Sequence, residues 1–113
     1  YAIVFRVYNN GAAYRFETSL KQPKVIINTE TIEQNWTEGC KLYWTREKNQ
    51  EYLTHCEAIF DELNISSLTK DMKGYLPIYL STPKGTKVVI MESDLFDYPN
   101  LFLITRYPVN FLL

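Results

Sequence analysis

The residues with the clearest chemical potential lie between Gly85 and Leu103, in the run GTKVVIMESDLFDYPNLFL. Val88, Ile90 and Glu92 alternate with Val89 and Met91, the period of a β-strand carrying one carboxylate at its C-terminal end. Ser93-Asp94-Leu95 and Asp97-Tyr98-Pro99-Asn100 then turn the chain, and Leu101–Ile104 begins a further strand. A carboxylate at a strand end beside an acidic loop can hold a hard cation or a sugar hydroxyl. Calcium takes six to eight oxygens, many from carboxylates, so Glu92 alone cannot make a site. The run has no EF-hand spacing, although Asp94 and Asp97 lie close. The alternative role for Glu92 is structural: to accept backbone N–H bonds and cap the corner.

Other chemistry finds little support. Cys40 and Cys56 lack C-x-x-C spacing and His55 is the single histidine, which excludes the common zinc patterns. The cysteines could pair in an oxidising compartment or stand as two structural thiols. His55 and Cys56 are adjacent, and neighbours on a strand point to opposite faces, so they do not form a nucleophile pair. Ser66, Ser67 and Ser93 lack a partner base and a Gly-x-Ser-x-Gly context. Four unclustered glycines exclude phosphate-loop and dinucleotide fingerprints.

The chain has 113 residues and a formal net charge of -1. That fits a single domain, 1–113, and leaves no electrostatic case for nucleic acid or anionic lipid. No apolar run reaches membrane-spanning length, and no signal peptide precedes the first strand. Aromatic residues make up 15% of the chain, nine of them tyrosines. Tyr and Phe suit the pleated, half-buried surface of a sheet, and their rings can also stack on sugars.

The elements that must position these residues read as strands throughout. Ala2–Tyr8 and Ala12–Thr18 alternate around Asn9-Asn10-Gly11, a strong hairpin signal. A turn at Asn10-Gly11 pairs Val7 with Tyr14 and Phe5 with Phe16. It also sets Arg6 opposite Arg15, with Glu17 diagonal, as a salt-bridged outer face or an anion, sugar or docking contact. Further strands are expected at Val25–Ile27, Ile32–Trp36, Cys40–Trp44 and Thr54–Phe60. Thr45–Leu53 reads as a loop, and Phe60–Leu68 as a helical turn with a weak Ser66-Ser67 cap. Tyr75–Leu80 contains Pro77, which marks an edge strand or a strand start. Thr82-Pro83-Lys84-Gly85 turns it back into Thr86–Glu92. The apolar end, Tyr107–Leu113, is expected to pack against something. About seven or eight short strands, with turn signals roughly every 8–12 residues, is the pattern of an antiparallel sandwich. Asn35-Trp-Thr37 and Asn64-Ile-Ser66 are formal glycosylation triplets.

Two blocks, FRVYNNGAAYRFET (5–18) and LPIYLSTPKGTKVVIMESDLFDYPNLFL (76–103), together resemble the N-terminal domain of glycoside hydrolase family 97. The family comprises bacterial α-glucosidases and α-galactosidases. The first block is similar to that domain's Asn/Asp-Gly hairpin. The second is similar to its strand–turn–strand ending in a Glu-Ala/Ser-Asp-Leu corner followed by Asp-Tyr-Pro. The resemblance implies an all-β, antiparallel β-supersandwich of mutarotase-like shape, here incomplete. It implies an accessory role beside a (β/α)8 catalytic barrel that this chain lacks, in a retaining or inverting α-glycosidase acting on α-linked oligosaccharides. It also implies calcium in the full-length parent, with Glu92 lending one ligand, no activity in the fragment alone, and a periplasmic or secreted location. Met91 stands where the family usually has Thr and Asn100 where it has Gly. The alternative is a free-standing carbohydrate-binding sandwich, with Trp36, Trp44 or Tyr98 as stacking platforms.

Overall fold

The fold is described from a computed structural model, and the structure describes residues 1–48, 57–96, 98–107 and 110–112. Eleven strands and one 3-10 turn follow in order: β1 (Ala2–Tyr8), β2 (Gly11–Glu17), β3 (Glu33–Asn35), β4 (Lys41–Trp44), β5 (Arg46–Glu47), β6 (Asp61–Asn64), the turn Ile65–Ser67, β7 (Lys73–Tyr75), β8 (Ile78–Ser81), β9 (Lys87–Ile90), β10 (Phe102–Tyr107) and β11 (Asn110–Leu112). They form a two-stranded ribbon β1-β2, a five-stranded sheet β3-β11-β10-β7-β5 and a four-stranded sheet β6-β4-β8-β9. All pairings are antiparallel. The chain is therefore the all-β, incomplete antiparallel sandwich that its sequence pattern implies.

The core lies between the two larger sheets. Leu42 and Trp44 of β4, Ile78 and Leu80 of β8 and Leu103 of β10 close over Cys40, Ile65 and Leu68, and Val88 and Ile90 of β9 pack on this cluster. Strand alternation explains the set, because each contributing strand sends every second side chain inward. Thr105 is fully buried as well. Its hydroxyl donates to the Thr69 carbonyl and accepts the Met72 N–H at 2.9 Å, while its backbone carbonyl accepts the Asp71 N–H at 2.7 Å. These bonds hold a turn in which Asp71 takes a φ of 64°.

Two chain segments change sheets side by side. Thr45 alone separates β4, in the four-stranded sheet, from β5, in the five-stranded one; Leu76-Pro77 separate β7 from β8 in the opposite sense. The Tyr75 N–H donates to the Thr45 carbonyl at 3.0 Å, and the Trp44 indole N–H donates to the Tyr75 carbonyl at 3.2 Å. Gly74 allows this closeness: a Cβ there would lie 2.4 Å from Trp44 Cε2 and 2.5 Å from the Thr45 carbonyl oxygen. At the sheet edges, Arg46 of β5 binds Asp61 of β6 (Nη2 to Oδ2, 2.7 Å).

Several sequence expectations need correction. The hairpin turn falls on Asn9-Asn10, with Tyr8 opposite Gly11, Phe5 opposite Tyr14 and Ile3 opposite Phe16. The shift is two residues, so the apolar faces still coincide, and Arg6 meets Ala13 instead of Arg15. Arg15 pairs along its own strand with Glu17. Val25–Ile27 is not a strand; it belongs to a coil in which these apolar side chains stand exposed, so no burial supports a strand there. The strand placed over 54–60 begins instead at Asp61, residues 54–56 lying outside the described part. The helical turn contracts to Ile65–Ser67 and carries no side-chain N-cap; Ser67 Oγ instead donates back to the Asn64 carbonyl at 2.6 Å. Tyr75–Leu80 is split at Pro77, and β8 is a central strand. Proline is tolerated because it immediately precedes β8, where no ladder bond needs its missing N–H. The tail is paired on both sides, β11 lying between β10 and β3.

Candidate functional site

Strand alternation carries Glu92 to the site. Val88 and Ile90 point toward the core, Val89 and Met91 are exposed, and Glu92 follows the inward parity two residues past the last β8–β9 pair, Ile78 with Ile90. The turn that fixes this register is the expected one. Gly85 takes a φ of 84°, its N–H donates to the Thr82 carbonyl at 2.9 Å, and the Thr82 N–H donates to the Thr86 carbonyl at 2.8 Å. A left-handed φ is the conformation that glycine adopts without a Cβ clash.

Beyond Glu92 the chain makes its acidic corner, with Asp94 at a φ of 66°. The corner is closed by Glu92 itself: Oε1 accepts the Leu101 N–H at 2.6 Å. The structural role foreseen for this carboxylate is thus present, and it uses one oxygen. The other, Oε2, is buried and has no hydrogen-bond partner. A buried carboxylate oxygen left unpartnered is costly, and native structures rarely tolerate one without a reason. Glu92 lines a cavity of about 140 Å³ together with Tyr75, Leu76, Pro77, Met91, Leu95, Asn100 and Leu101.

Two tyrosines and a second carboxylate stand around the corner. The Tyr98 hydroxyl donates to Glu30 Oε2 at 2.6 Å, which joins the 18–32 coil to the corner and pushes the Tyr98 phenol above its ordinary value. The Tyr14 phenol of β2 is also pushed up, first by its burial and then by the Glu30 and Glu92 carboxylates. Sequence reasoning missed Glu30 and Tyr14. Glu30 is 68 residues from Tyr98 in the chain, and no local pattern announces such a contact.

The structure brings Glu92 and Tyr98 to one corner. Asp94 is exposed there, while Asp97 lies outside the described residues, as do His55 and Cys56. Among the described residues no three His, Cys, Asp or Glu side chains gather in a way that could hold a metal ion. At the corner, the described residues present one oriented and unpartnered carboxylate oxygen with a cavity beside it. Cys40 is buried and free, its sulfur 3.6 Å from Thr37 Oγ1. One stacking platform foreseen from the sequence is lost, because Trp44 is fully buried; Trp36 is half-buried against the core.

This corner and hairpin can now be set against known proteins. Residues 1–110 match the family model described as Glycosyl-hydrolase 97 N-terminal. The chain belongs to this family. A glycosyl-hydrolase 97 N-terminal domain is an accessory part of a glycoside hydrolase. A curated relative, the retaining alpha-galactosidase of Bacteroides thetaiotaomicron, is 31% identical over 115 residues. The alignment covers 96% of this chain and 17% of that protein, so the chain spans about a sixth of its relative's length. No solved structure matches. No helix among the described residues is long and apolar enough to cross a membrane.

Proposed function

We propose that this domain walls the sugar-binding cleft of an α-glycosidase and lends the Glu92 carboxylate to a calcium ion otherwise held by a catalytic barrel outside this chain. The observation that carries this reading is the split duty of Glu92: Oε1 is tied to the Leu101 N–H, while Oε2 is buried and unpartnered. One bond fixes the side chain's orientation, and the free oxygen is the donor a calcium shell requires. Calcium held there would supply positive charge to stabilise negative charge that develops on a substrate oxygen.

The rest of the reading follows from the family and the named relative. The substrates are α-linked oligosaccharides, and α-galactosides are the first to try. The enzyme would work in the periplasm or outside the cell.

Replacing Glu92 by Gln in the whole protein keeps an acceptor for the Leu101 N–H and removes the charge. Calcium affinity, measured by titration calorimetry, should fall at least about tenfold, since losing even a supporting group around a metal costs roughly 10–100-fold. Unchanged affinity would reject the role. The isolated 113-residue chain should not turn over aryl α-galactosides or α-glucosides; hydrolysis clearly above buffer would overturn its accessory assignment.

A further inference from the structure

We propose that the outer face of the four-stranded sheet binds a neutral oligosaccharide across Tyr43 and Tyr79, away from the Glu92 cavity. The register sets Glu62, Tyr43, Tyr79 and Val89 in one row across β6, β4, β8 and β9, all on the face opposite the core. The Tyr43 and Tyr79 ring centroids are 5.2 Å apart with planes at 63°. Both rings are half-buried, so each keeps part of its surface in solvent.

The Tyr43 ring is held in place by charge, and Tyr79 rests edge-on against it. Lys41 Nζ lies 2.6 Å from Glu62 Oε1, and the Tyr43 hydroxyl donates to Glu62 Oε2 at 2.9 Å. A ring fixed before binding loses little rotamer freedom when a ligand arrives. The next row, Asn64, Lys41, Ser81 and Lys87, lines the aromatic strip with amide, hydroxyl and ammonium groups.

This combination selects its ligand. An apolar strip bordered by hydrogen-bonding groups matches a sugar ring, which has a C–H face and a hydroxyl rim. Lys41 and Glu62 neutralise each other, so this end of the face offers a polyanion little purchase. Charged groups are depleted at the centre of protein interfaces, and here an ion pair adjoins the rings. The surface argument does not depend on Glu92; only the choice of an α-linked probe rests on the proposed glycosidase reading.

Native electrophoresis of the whole protein through gels containing a soluble neutral α-glucan tests the proposal, with plain gels and dextran sulfate gels as references. The wild-type protein should be retarded by the neutral glucan alone, and Tyr79→Ala should weaken that retardation roughly three- to tenfold. Tyr79→Thr, a β-branched residue suited to an exposed strand position, is the second variant should the alanine protein fail to fold. Tyr79 does not line the Glu92 cavity, so a loss on its replacement separates this surface from the calcium role. No retardation of wild type, retardation by the charged polymer only, or wild-type retardation of both folded Tyr79 variants would overturn the proposal.

Discussion

In the sandwich body, Leu42, Trp44, Ile78, Leu80 and Leu103 are closed off from water; in the hairpin, Ile3, Phe5, Val7, Tyr14 and Phe16 stand in it. Both regions alternate apolar and polar residues, and both pair antiparallel with regular register over most of their length. The difference is a second layer. Each sheet of the body has the other to cover it, whereas β1-β2 is a two-stranded ribbon exposed on both faces. A ribbon of this kind is marginal by itself. Its ring contacts lie within the ribbon: Phe5 and Tyr14 rings 6.0 Å apart across the strands, and Tyr14 edge-on to Phe16. Strand pattern specifies a face to bury, and burial then requires something to lie on it.

The sharpest way to break this comparison is to cut into the body. Trp44→Ala in this chain should cost about 3–5 kcal/mol, read from urea unfolding; a loss under about 1 kcal/mol would mean that the core is no better packed than the ribbon. Gly74→Ala should cost about 1–3 kcal/mol by overpacking, because its new Cβ meets the Trp44 indole and the Thr45 backbone. Thr105→Val keeps the shape but leaves the Met72 N–H without its acceptor, at a cost of about 1–3 kcal/mol.

Hairpin changes should be milder. Phe5→Ser or Phe16→Ser should lower the stability of this chain by no more than about 1 kcal/mol, the range of a cross-strand pair. A larger loss would show that the ribbon's face is covered in solution.

The smallest effect is a titration. Glu62 is held below its ordinary value by hydrogen bonds from Lys41 and then Tyr43. Its charged form is favoured in the fold, so its contribution is present above the ordinary carboxylate value and is lost as pH falls through the lowered one. The carboxyl carbon signal of Glu62 should accordingly titrate below that of a free glutamate, and Lys41→Met should move it back up.

What could be read from the chain before any coordinates follows from the same contrast. The two hairpins were legible because strand–turn–strand is a short-range code: Thr82–Gly85 falls where expected. Asn9-Asn10-Gly11 offers two loops one residue apart whose registers differ by two and keep the same faces, so alternation alone could not choose between them. The 41–75 region was poorly legible because its strands are short and are assigned to sheets by contacts distant in sequence. One residue, Thr45, separates strands of different sheets, and no alternation pattern marks such a step. At the candidate site, Glu92 and its strand-end position were visible; Glu30 was not, since only folding brings it to Tyr98.

The paired sheet changes at Thr45 and Leu76-Pro77 have a further consequence. Each layer borrows part of its length from the other at one point, and the two loans are bonded together through Tyr75. Sliding one layer over the other would have to tear both at once. Tyr75, Leu76 and Pro77 also line the Glu92 cavity. The carboxylate therefore stands beside a joint that is bonded in both directions, where the backbone has little room to shift.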